Sequence, residues 1–127
     1  MIAEDKAILE AYKGFVNGYN GVLPFSDYYA FVSNWRIHPI EHNGNVVGAV
    51  FTKGNEIHVS TSGPWFPRKY VKEVLYPLID QYGEVVTSVD DYNQSGLYWV
   101  KKLGFKETEK LEYKTKLKIT KDDIWVS

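Results

Sequence analysis

The chain has 127 residues, with 15 lysines and arginines against 16 aspartates and glutamates. That length suits one domain, and the near-zero net charge gives no overall case for nucleic acid as a partner. There is no cysteine, which excludes disulfides and thiolate metal sites, and no apolar run of ~20 residues that would span a membrane. The first five residues carry no signal-peptide pattern, so the expectation is a cytoplasmic protein. Ten tyrosines and four tryptophans predict a core or a binding face rich in rings.

From Glu4 to Asn17 the apolar residues Ala7, Ile8, Ala11 and Phe15 recur at helical spacing, with Glu4 and Asp5 in the first turn. Ser26 is the expected cap of a second helix, Asp27 to about Asn34, with Tyr28, Phe31, Val32 and Trp35 as apolar members. Three strands then follow as an antiparallel meander: Arg36–His42, Val46–Thr52 and Glu56–Thr61. Asn43-Gly44 is a two-residue hairpin signal, Gly54-Asn55 turns the chain again, and Pro39 points to an edge or a kink. A helix is predicted from about Pro67 to Tyr82, where Pro77 should kink it or loosen one turn. Gly83 ends it.

The most informative stretch runs from Val85 to Phe105. Val85 to Val89 is short and β-branched, as a buried strand should be. Asp90, Asp91 and Asn93 offer capping oxygens. From Gln94 onward Leu97, Val100 and Leu103 recur at helical spacing, with Lys101 and Lys102 in the last turn. Gly104 suits a left-handed stop, and Phe105 can fold back over the helix end. Lys106 to Ile119 then reads as a hairpin, and Thr120 as the cap of a last turn over Lys121 to Val126. The lysines between Lys101 and Lys121 read as a solvated strand edge.

Asn93, Leu103, Gly104 and Phe105, placed after a strand and around a short helix, resemble the signature of the GNAT superfamily of acyl-CoA-dependent N-acetyltransferases. The likeness is best from about Ile57 to Phe105. The order of elements agrees too: two helices, three strands, a helix, a strand, a helix and a closing hairpin. The resemblance implies an α+β fold, a mostly antiparallel twisted sheet flanked by helices in one domain over 1–127. The family's usual N-terminal strand is reduced or absent here. A looser likeness, over Trp65–Phe105, is to small phage-encoded GNAT-like proteins, some linked to virion assembly. It would place the protein in the cytoplasm of a bacterial host.

What the resemblance implies for the site is specific. Acetyl-CoA would lie where Glu56–Thr61 and Glu84–Val89 splay apart, its arm along Ser60 and Thr61. The pyrophosphate would sit on the loop before the long helix, where a helix N-terminus favours an anion. Of that loop's usual glycines only Gly63 is present, and Pro64 and Pro67 lack amide hydrogens. Arg68 and Lys69 would restore positive charge; the same stretch also reads as an ordinary tight connector. Asn93 would contact the cofactor arm, and as a helix cap its type and position are equally explained. The family often has a tyrosine seven residues after this asparagine as general acid. Val100 stands there, and Tyr98 is the nearby substitute, about 160° away around the helix.

A base is needed to deprotonate an amine, and His58, beside Glu56 on one strand face, has the suitable chemistry. It reads equally as a satisfied sheet histidine, and His38 and His42 are open alternatives. No metal site is expected from the three scattered histidines. Trp65, followed by Arg68 and Lys69, suits a partner or an adenine ring, or else plugs the sheet end. The leading expectation is an acetyl-CoA-dependent N-acetyltransferase acting on a primary amine of a small molecule or peptide. The alternative is a catalytically inactive GNAT-like module that binds a protein or assists phage assembly. A homodimer through the C-terminal hairpin and Trp125 is a further expectation.

Overall fold

The structure is a computed structural model and describes residues 3–17, 23–63 and 67–124. Its elements in chain order are α1 (Ala3–Asn17), α2 (Phe25–Val32), β1 (Arg36–His42), β2 (Asn45–Lys53) and β3 (Glu56–Thr61). After these come α3 (Arg68–Tyr82), β4 (Glu84–Asp90), α4 (Gln94–Leu103), β5 (Lys106–Lys110), β6 (Lys114–Thr120) and α5 (Lys121–Ile124). The six strands form one sheet in the order β1-β2-β3-β4-β6-β5. All neighbours are antiparallel except β3 and β4, which are parallel. Among the described residues the first element is a helix, with no strand ahead of it.

Side-chain alternation divides the core into two layers. On β2, Ala49 and Phe51 face Ala7, Ile8 and Ala11 of α1 and Tyr28 and Val32 of α2. Val50 faces the opposite side, where Val71, Leu75 and Ile79 of α3 pack on Ile57, Val85 and Leu117. The turns follow their residues. Asn43 and Gly44 both take positive φ, 53° and 83°, as the tight β1–β2 hairpin requires. β1 is an edge strand carrying Pro39, and its register shifts at Ile40/Glu41.

Two local expectations are corrected, at the starts of α2 and α3. α2 begins at Phe25, two residues earlier than expected, with Pro24 rather than Ser26 at the N-cap. The amides of Asp27 and Tyr28 both donate to the Pro24 carbonyl, which places Ser26 inside the first turn. Pro67 is likewise the N-cap of α3 rather than its first helical residue. α3 runs through Pro77 to Tyr82, the expected end, and Pro77 is exposed. At the C-terminus Thr120 immediately precedes α5, and Asp123 Oδ2 accepts from its amide and hydroxyl at 2.8 and 3.0 Å; among the described residues the Thr120 hydroxyl accepts from no helix amide, as the expected cap would. Trp125 and Val126 lie outside the described residues.

One buried carboxylate ties α1 to the loop after β3. Glu10 accepts from Lys13 at 2.7 Å through Oε2 and from Ser62 Oγ at 2.9 Å through Oε1. Burial works against its charge, but hydrogen bonds from Lys13, Ser62 and Lys6 outweigh it and hold its carboxyl below the usual range. A depressed folded pKa stabilises the protein above the unfolded value, about 4.3, and that contribution disappears as pH falls through the folded value. Glu10→Gln is therefore expected to lose about 1 kcal/mol at pH 7. The gap from the parent protein should close below about pH 4. Urea unfolding at pH 7 and in acid checks both.

Candidate functional site

β3 and β4 share a single register pair, Glu56↔Val86. Beyond it they part. The Val86 amide donates to the Asn55 carbonyl at 2.9 Å, and Thr87 Oγ1 donates to the Ile57 carbonyl at 2.5 Å. Past that point β4 is fully occupied by β6 from Glu84↔Thr120 to Asp90↔Lys114. The two-residue β2–β3 turn makes Lys53↔Glu56 a hydrogen-bonded pair, so Ile57, Val59 and Thr61 direct their backbone groups away from β2 and toward β4. The splay thus presents the Val59 N–H and C=O to an open edge.

A cleft of about 670 Å³ runs through this splay. Its walls include Gly14, Trp35, Glu56, His58, Ser60, Asp90, Tyr92 and Asn93, with Val100 and Leu103 deeper along α4. A smaller recess of about 160 Å³ adjoins it, bounded by Ser60, Thr61, Gly63, Pro67, Asn93 and Trp99. Four of the six residues expected to hold the cofactor, Ser60, Thr61, Gly63 and Asn93, therefore meet at one place. Ser60 borders that place without a free donor: its hydroxyl donates to the Ala11 carbonyl at 2.6 Å, and its backbone groups face Ala49 of β2.

Arg68 and Lys69 follow Pro67 in the first turn of α3 and are exposed. No carboxylate among the described residues pairs with either. Pro67, the N-cap of α3, makes no side-chain capping bond, and a helix N-terminus of this kind favours an anion. The expected phosphate loop is described only in part, since Pro64, Trp65 and Phe66 lie outside the described residues.

Asn93 is the N-cap of α4: its Oδ1 accepts from the Gly96 amide at 2.9 Å. The cap uses the oxygen, and the side chain still borders the cleft. Gly96 is small for a reason, since a Cβ there would meet the Asn93 side chain. Gly104 closes the helix at φ 114°, as expected.

His58 lies on the wall of the cleft, its Nε2 2.7 Å from Glu56 Oε2 and its ring 5.3 Å edge-on from Trp35. The hydrogen bond to His58 depresses the Glu56 carboxyl, against burial, with help from the charges of Lys114 and Lys53. A carboxylate that accepts from Nε2 leaves the lone pair on Nδ1, the form that takes up a proton. His38 and His42 are not on the cleft wall. His38 points to the other face, bonded to Thr52 at 3.1 Å, and burial lowers its pKa.

Tyr98 is not brought to the site. It is 54% exposed, stacks edge-on against Trp99 at 5.3 Å and carries Lys102 over its ring. Val100, two residues on, takes the cleft-facing direction instead, as the helical angle between them requires.

Several cleft residues were not singled out by sequence. Phe31, expected among the apolar members of α2, is 70% exposed and borders the cleft with Asp27, while Tyr28 and Val32 supply the buried side. Tyr92 and Gly14 carried no signal beyond their neighbours. Among the described residues no three His, Asp or Glu side chains gather to hold a metal ion. No helix among them is long and apolar enough to cross a membrane.

No protein-family model matches this sequence, and no curated protein matches it. Solved structures do resemble it. An N-acetyltransferase from Staphylococcus aureus Mu50 superposes with a TM-score of 0.67 at 16% identity, over 94% of each chain. A ribosomal-protein-alanine N-acetyltransferase from Brucella melitensis gives 0.66 at 12% identity, over 94% of this chain and 96% of that one. The protein PH1933 from Pyrococcus horikoshii OT3 gives 0.73 at 15% identity, over 95% and 94%. The mixed α+β sheet flanked by helices thus recurs in solved N-acetyltransferases, and the chain has the fold of the GNAT N-acetyltransferases.

Proposed function

We propose that the protein is an acetyl-CoA-dependent N-acetyltransferase acting on a primary amine. The observation that carries this reading is the β3–β4 splay, a strand edge left open beside an uncapped helix start and a cleft-wall histidine. The residues present fit the donor. Val59 offers strand-like backbone groups to an extended arm, Asn93 borders the same groove, and the α3 amides with Arg68 and Lys69 suit a diphosphate.

Bound there, acetyl-CoA supplies a thioester: the amine nitrogen bonds to its carbonyl carbon, the C–S bond breaks, and CoA leaves as the thiolate. His58 takes the amine proton on Nδ1, and Glu56 stabilises the resulting imidazolium. Water entering the open cleft returns a proton to the thiolate, since Val100 has none to give. Proximity of amine and donor in one cleft lowers the entropic part of the barrier.

Val100 also favours a second reading, a GNAT-like module without catalysis that binds a protein, such as a phage assembly factor or a second copy of itself. Thiol release from acetyl-CoA, followed over a panel of primary amines, separates the two. Amine-dependent release is the expected result. Release no faster than the hydrolysis background with every amine would leave the binding module standing.

A further inference from the structure

We infer that the acceptor is a linear aliphatic amine carrying a second cationic centre, a diamine or polyamine; the inference deepens the acetyltransferase reading and rests on it. A second face of α2 borders the same cleft as His58. Tyr28 and Val32 satisfy the core, whereas Asp27 and Phe31, one turn apart, border the cleft, followed by Trp35 in the turn after the helix. Phe31 at 70% exposure has no core role, so it is available as an apolar wall.

Trp35 already attracts one cation, with Lys53 Nζ 5.9 Å from its ring centroid. The far side adds Glu56 from β3 and Asp90 and Tyr92 from the end of β4. Carboxylates on the wall are thus Asp27, Glu56 and Asp90, against Lys114 as the lysine or arginine that borders it. Neither Asp27 nor Asp90 has a cationic partner within salt-bridge distance among the described residues, whereas Glu56 is committed to His58.

A single protonated amine would lose its charge on reaction and gain little from those two free carboxylates. An alkyl chain between two nitrogens fits better. One nitrogen is deprotonated at His58, while the other stays charged against Asp27 or Asp90, and the methylenes lie along Phe31 and Trp35. An anionic acceptor would meet net negative charge instead.

The test compares butane-1,4-diamine and spermidine with n-butylamine as acceptors, in the full chain with acetyl-CoA. The diamines should have the higher kcat/KM by about tenfold, mainly through KM. Asp27→Asn and Phe31→Ala should shrink the diamine-to-monoamine ratio toward one. Equal kcat/KM for the diamines and n-butylamine overturns the inference, and so does a ratio unchanged in both variants. If no amine is acetylated, calorimetry with spermidine alone decides: binding that Asp27→Asn weakens supports the cation-binding cleft without catalysis, and no binding overturns it.

Discussion

His58→Ala is expected to lower kcat/KM for acetyl transfer by about 10²–10⁴-fold, the usual contribution of a positioned general base. The magnitude follows from geometry. The imidazole is anchored on one side by Glu56 at 2.7 Å and on another by the Trp35 edge, so its free nitrogen keeps a fixed direction on the cleft wall. Glu56→Gln keeps the shape but turns an acceptor into a group that can donate to the ring. It should cost at least about tenfold, because the wrong tautomer is stabilised and the imidazolium loses its counter-charge. Both variants should bind acetyl-CoA as the parent protein does, since neither residue borders the α3 start. A His58→Ala enzyme with parental kcat/KM would show that water removes the proton.

Gly14→Ala is expected to destabilise the fold, although alanine is the better helix former by about 1 kcal/mol. A Cβ at Gly14 would overlap the Thr61 carbonyl and come close to the Ser60 hydroxyl. The obstacle is backbone, which cannot rotate away as a long side chain would, so α1 must lift from the end of β3. Overpacking of that kind costs about 1–3 kcal/mol, and it outweighs the propensity gain. The same shift would disturb Ser60–Ala11 and Ser62–Glu10, the two hydrogen bonds that hold α1 against the start of the expected phosphate loop. Weaker acetyl-CoA binding should therefore accompany the loss of stability. Urea unfolding measures the first and calorimetry the second; a variant as stable as the parent would mean that α1 does not approach β3 so closely.

The order of elements was legible because each carries local signals: positive-φ residues at Asn43-Gly44 and Gly104, β-branched runs, and the cap at Asn93. The α+β fold and the splay followed from that order. Asn93 was readable as both cap and cleft residue, since capping fixes where its side chain lies. Phe31 was misplaced for a physical reason: helical periodicity identifies an apolar stripe but does not say which of two neighbouring stripes faces the core and which a cleft. Tyr98 failed through the same angular argument that put Val100 inward. Gly14 was invisible, because its smallness answers a carbonyl 47 positions away at Thr61. Pro24 and Pro67 act as caps one position before the helices, where a fixed φ costs nothing.

The lysine-rich hairpin behaves largely as a solvated edge. Lys101, Lys106, Lys110 and Lys118 each reach a carboxylate, Glu107, Asp123, Asp91 and Glu84, at 2.8 to 3.9 Å. Exposed pairs of this kind contribute little to stability, but they keep β5, the outer strand, from pairing with another chain.

Calorimetric titration of the purified protein with acetyl-CoA tests the central claim most directly, because every catalytic step depends on a working donor groove. Micromolar binding is predicted, weakened about tenfold or more when Arg68 and Lys69 are both changed to alanine. No binding up to millimolar acetyl-CoA would contradict the account and leave the β3–β4 splay as a feature of the fold alone.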